Sequence, residues 1–182
     1  MKKGLMKKLT TQGLLAAVAL AVFVVEAQIP LLPAVQGIKL GLANVVSLFA
    51  LYTMGPWSAC MILLTRILLG GLITGRGAAL LYSLGGGLLS FALCAVLHRF
   101  FSPGHIWIVS IFGALAHNLG QLAMAVWITR TPALVPPYLP VLVIAGLLTG
   151  LFTGLACQVL ANRLNRLGFI RFYGKWTDMP DG

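Results

Sequence analysis

Six apolar runs occupy most of this chain, at residues 9–28, 40–54, 57–74, 77–97, 105–129 and 138–165. Each is continuously apolar, with no alternation of period two, so each predicts a helix rather than a barrel strand. A spanning helix needs about 20 such residues, and in lipid every backbone polar group must be satisfied within the fold. Only 9% of the 182 residues are charged and 59% are hydrophobic, whereas a soluble domain averages about 25% charged. A soluble fold of this size cannot hide that much apolar surface. The expectation is an all-α integral membrane protein with six transmembrane helices over residues 1–168. A short polar C-terminal tail, 169–182, follows, and its end is expected to fray. The second run is short for a span, so it begins within the Gly37–Gly41 turn or stops below the far surface.

The charges give the orientation. Nine of the thirteen Lys and Arg are Lys2, Lys3, Lys7, Lys8, Arg99, Arg163, Arg166, Arg171 and Lys175. With six spans these collect on one side. Lys39, Arg76 and Arg130 fall on the other, and Arg66 lies within a span. A bias of this kind puts both termini in the cytoplasm of a multi-pass cell-membrane protein. The net charge of +10 therefore reads as topology. A nucleic-acid binder would carry a basic face with interleaved aromatics, which is missing here. Cys60, Cys94 and Cys157 fall in three different runs without a CxxC or a nearby His, and read as small packing residues. The first run lacks a small-x-small cleavage site and is read as a mature helix.

Polar groups inside the runs are costly and need partners. Glu26, the sole carboxylate in the first 177 residues, ends the first run. It is either an interfacial or structural acid, or a ligand-binding or coupling residue. Lys39 and Asn44 open the second run; Lys39 could snorkel to the interface and Asn44 could bond a carbonyl. Arg66 sits mid-run, too deep to snorkel easily, and needs an acid, carbonyls or an anionic ligand. His117, Asn118 and Gln121 share one broad helix face, as interhelical glue or as the wall of a solute site. No metal site is expected, because no second His, Cys or carboxylate stands near His117. No cofactor is implied: there is no GxxxxGK[ST] phosphate loop. Gly85-Gly86-Gly87 reads as close packing or a helix break. No Ser-His-Asp or Cys-His arrangement is visible. Small residues recur every fourth position at Gly13, Ala17 and Ala21, and again at Gly146, Gly150 and Gly154. Such stripes serve packing within the bundle or, for the first helix, docking of a separate membrane protein.

Several of these segments resemble one family. They are Pro33-Ala-Val-Gln-Gly-Ile-Lys-Leu-Gly-Leu-Ala-Asn44-Val-Val-Ser-Leu48, the Arg66 segment, Ser83-Leu-Gly-Gly-Gly-Leu-Leu-Ser90 and Gly113-Ala-Leu-Ala-His-Asn-Leu-Gly-Gln121. Together they look like the Gx transporter family, also labelled heptaprenyl diphosphate synthase component I, over about residues 9–165. That family is similar to the substrate-binding S-components of energy-coupling-factor (ECF) vitamin transporters. The resemblance implies a six-helix bundle with a solute site near the outer face, covered by the loop after the first helix. It implies an AxxxA motif, matched by Ala17 and Ala21, that docks a transmembrane T-component, and two shared cytoplasmic ATPases.

The expected function is a membrane-embedded subunit that captures a small solute for an ECF-type importer and is not itself an enzyme. Its binding residues would be Glu26, Lys39, Asn44, Arg66, His117, Asn118 and Gln121, and an anionic or amide-rich solute suits them. The alternative is a non-catalytic accessory protein in isoprenoid or quinone biosynthesis, or in a membrane redox system. A prenyl diphosphate synthase holds magnesium with paired aspartate-rich motifs, and this chain's two aspartates, Asp178 and Asp181, both lie in the tail. A third reading is an autonomous transporter coupled to protons through Glu26.

Overall fold

The computed structural model describes residues 2–26, 28, 41–75 and 77–176. Six α-helices follow one another: α1 Lys2–Glu26, α2 Asn44–Met54, α3 Pro56–Thr74, α4 Gly77–Leu97, α5 Ile106–Thr129 and α6 Val135–Arg166. Short 3-10 turns lie at Pro103–His105, Pro132–Leu134 and Gly174–Trp176. Among the described residues there is no strand. Five of the six, all but α2, are long and apolar enough to cross a membrane. The 11 residues of α2 rise only about 16 Å, roughly half a hydrocarbon core. The short second run is thus a short helix.

The surface reverses that of a soluble protein. Leu72, Phe152 and Trp127 are 78%, 73% and 70% exposed, while Arg66, His117, Asn118 and Gln121 are all buried. In water the outward apolar face would be an aggregation surface; in lipid it is the solvated one. The chain has the character of a multi-pass membrane protein.

Helix α5 is the centre of the bundle, with α4 along one side and α6 along the other; α1 rests on α3, and α2 fits against α3 and α6. Glycines set these distances. A Cβ on Gly120 would stand 2.6 Å from the carbonyl oxygen of Gly85, and one on Gly86 would stand 2.7 Å from that of His117. The triple glycine therefore serves close approach, and α4 runs through it unbroken. On α6, Cβ atoms at Gly150 and Gly154 would meet the Cα atoms of Ile111 and Trp107 at 2.7 and 2.6 Å. The stripe on α1 differs. Ala17 and Ala21 are exposed, and a Cβ on Gly13 would meet nothing within 4 Å.

The start of α1 and residues 170–173 come together at one end of the bundle. Residues 169–176 do not trail away: Phe172 is buried, the Tyr173 N–H donates to the Tyr52 carbonyl at 2.8 Å, and the Tyr173 ring covers Gly55. Beneath it the Tyr52 hydroxyl donates to the Phe101 carbonyl at 3.1 Å, and its ring meets His98 edge-on at 5.0 Å. Burial, with the Arg99 and Lys175 charges nearby, holds His98 below its ordinary pKa.

Two predictions follow from this packing. Gly154→Val should cost about 1–3 kcal/mol or more, since backbone atoms cannot step aside, whereas Gly13→Val should leave the melting temperature of the isolated chain unchanged; equal effects in detergent would contradict the assignment of the two stripes. The unfolded chain protonates His98 more readily than the folded one, so stability is complete above about pH 6.5 and falls as pH drops below it. Melting temperatures at pH 7.5 and 5 should show that loss, and His98→Gln should shrink it.

Candidate functional site

Glu26 closes α1 and is 2% exposed. Its carboxylate accepts the Gly41 N–H and, at 3.4 Å, the Ala43 N–H. These donors lead into α2, whose N-cap, Ala43, offers no side-chain cap. Glu26 thus holds the turn that leads into α2, while the first N–H groups of the helix itself, those of Asn44 and Val45, donate to the Gly41 and Leu42 carbonyls. A negative charge there also suits the positive end of the helix dipole. Gly41 sits at φ +82°, and a Cβ on it would lie 2.9 Å from the His117 ring and 3.0 Å from Asn44 Nδ2. Only glycine fits both the backbone and the space.

Arg66 comes up from α3 to the same place. Its Nη2 donates to Asn44 Oδ1 at 3.0 Å, and its guanidinium lies 5.8 Å from the centroid of the Phe23 ring, a cation–π distance. The Glu26 charge acts on Arg66, yet the carboxylate is committed to backbone N–H groups instead of a direct ion pair. His117 bonds Gln121 through their Nε2 atoms at 2.8 Å. The structure therefore gathers Glu26, Asn44, Arg66 and His117 around Gly41, with Gln121 joined through His117.

Asn118 stands apart. Its Nδ2 donates to the Leu142 carbonyl on α6 at 2.8 Å. Adjacent residues on a helix point about 100° apart, so the broad face of α5 is divided. His117 and Gln121 look toward α4 and α2, and Asn118 looks toward α6. Lys39 and Arg76 lie outside the described residues.

Beside the cluster is a narrow hollow between α2, α4, α5 and α6. Gly41 and Asn44 belong to its wall, with hydroxyls from Ser47, Ser90, Ser110 and Thr153. Its volume is about 30 Å³, enough for one or two waters. Sequence reading missed these hydroxyls. Ser and Thr are common on membrane helices, and only their convergence from four helices distinguishes them. Three buried polar atoms here have no hydrogen-bond partner among the described residues: Asn44 Nδ2, Arg66 Nε and the Ser47 hydroxyl. Two are pure donors, so the site as built asks for an acceptor. Among the described residues no cluster of His, Cys, Asp or Glu could hold a metal.

A family described as heptaprenyl diphosphate synthase component I matches residues 15–160. That stretch contains α2 to α5 whole and every described residue of the polar cluster. No curated protein and no solved structure matches the chain.

Because Glu26 holds the turn before α2 and also balances Arg66, the two residues should be energetically coupled. Glu26→Ala should cost about 2–4 kcal/mol, leaving buried donors unmet and a buried cation uncompensated. Adding Arg66→Met should cost less than the sum of the single changes. Additive losses in a double-mutant cycle of detergent melting would show that the two do not interact.

Proposed function

The chain belongs to the heptaprenyl diphosphate synthase component I family, and on that footing we propose that it is a membrane-embedded solute-binding subunit. It captures a small molecule through the cluster around Gly41 and the adjoining hollow. The observation that carries this reading is a pair of buried donors, Asn44 Nδ2 and Arg66 Nε, with no acceptor among the described residues. A purely structural polar cluster would be expected to satisfy itself, since each unmet buried donor costs about 1–3 kcal/mol. The hollow is too small for a solute as it stands, so capture requires α2 to part from α4 and α5. α2 is the short helix, held at its start by Glu26, and is the element best suited to move.

The finer reading is an S-component-like subunit of an ECF importer. Both termini then lie in the cytoplasm and the cluster faces outward. The exposed Ala17 and Ala21 dock a T-component that carries two cytoplasmic ATPases. The chain has no nucleotide loop, so energy must come from such partners. The second reading is an accessory subunit in isoprenoid or quinone synthesis, favoured by the family's own description. Its catalytic half would be another chain, because this one lacks paired acidic metal ligands.

Affinity purification from native membranes separates the two. The importer reading expects a T-component and ATPases, lost with Ala17→Leu or Ala21→Leu while the protein itself stays folded. Recovery of a prenyl synthase alone, indifferent to those substitutions, would overturn it.

A further inference from the structure

An open crevice of about 440 Å³ lies between α1, α2 and residues 170–173. Lys7 and Lys8 form one wall and Arg171 the other. The three are brought together by folding, because the bond from Tyr173 to Tyr52 and the burial of Phe172 fix Arg171 opposite α1. None of their side chains makes a hydrogen bond or an ion pair with a described residue. Glu26, the single acid among the described residues, ends the same helix about 28 Å away at 1.5 Å per residue. Like charges gathered with no counter-ion among the described residues repel one another, and an anion between them relieves that repulsion.

The floor of the crevice is apolar, with Leu15, Phe49 and Ile170. A free phosphate or a nucleotide would have no use for it. The crevice also lies where the apolar stretch of α1 begins, at Met6, and about two and three turns further along α1 Leu14 and Val18 are exposed. The basic rim therefore passes without a break into lipid-facing surface. A ligand that fits has an anionic head and an apolar tail. We propose that this crevice is a binding site for an anionic phospholipid of the surrounding bilayer. The phosphate sits among Lys7, Lys8 and Arg171, and an acyl chain runs over Leu15 along α1. Basic pockets beside transmembrane helices hold such headgroups by this combination of charge and burial. The site is separate from the polar cluster and does not depend on the proposed solute function.

The test uses the full chain in nanodiscs of equimolar phosphatidylglycerol and phosphatidylcholine, released into neutral detergent and read by native mass spectrometry. Wild type should retain phosphatidylglycerol in preference to phosphatidylcholine, and added phosphatidylglycerol should raise its melting temperature. Each cation near an anionic headgroup contributes about fivefold to binding, so Lys7→Gln with Lys8→Gln and Arg171→Gln should weaken retention by about tenfold or more. Lys7→Arg with Lys8→Arg and Arg171→Lys keeps the charges and should keep the lipid, which separates loss of the site from loss of the fold. Equal retention of the two lipids, or retention that survives the three Gln substitutions, would overturn the proposal. So would stabilisation by inorganic phosphate or by a short-chain prenyl diphosphate equal to that by phosphatidylglycerol.

Discussion

Lipid offers no hydrogen bonds, so every polar group at membrane depth in this protein must find its partner inside the protein. That constraint explains the helices, which satisfy their own backbones. It also explains how they meet. Apolar side chains gain little by leaving lipid for one another, so close contact must come from shape. Gly85, Gly86 and Gly120 bring α4 onto α5, and Gly150 and Gly154 bring α6 onto its other side. With α5 held between two neighbours, His117, Asn118 and Gln121 are all buried.

The same constraint organises the polar cluster. Glu26 ends one helix and accepts from the turn before the next, so a single carboxylate fixes the entry to α2 and balances Arg66. Asn44, the first residue of α2, accepts from Arg66, and Gly41 lets the turn press against His117. Each member is held by another, and Asn44 Nδ2 and Arg66 Nε are left without acceptors among the described residues, a deficit that a carbonyl or anionic oxygen would meet.

Much of this is legible in the sequence because the signals are strong and local. Continuous apolar runs give helices, and a run too short to span gives the short α2. An arginine in the middle of a run announces that a partner must exist. What is not legible depends on contacts between distant segments. Nothing local says that Glu26 bonds backbone N–H groups of the turn before the next helix in place of Arg66. The face carrying His117, Asn118 and Gln121 is broad enough to serve two interfaces, and periodicity cannot divide it; only α6, through the Leu142 carbonyl, draws Asn118 away. The hydroxyls of the hollow come from four helices and form no motif. Residues 169–176 carry Phe169, Ile170, Phe172, Tyr173 and Trp176, yet taken with the polar end as one tail they hide that Phe172 is buried and Tyr173 bonds α2.

The central claim is that the donors left over around Gly41 exist to meet a solute. Small molecules extracted from the protein purified out of its own membranes, identified by mass spectrometry, test it most directly. The account predicts one compound rich in carbonyl or anionic oxygen at near-stoichiometric yield, lost from Arg66→Met and from Asn44→Ala protein that still folds. A compound retained equally by both variants, or none in wild type across growth conditions, would contradict it.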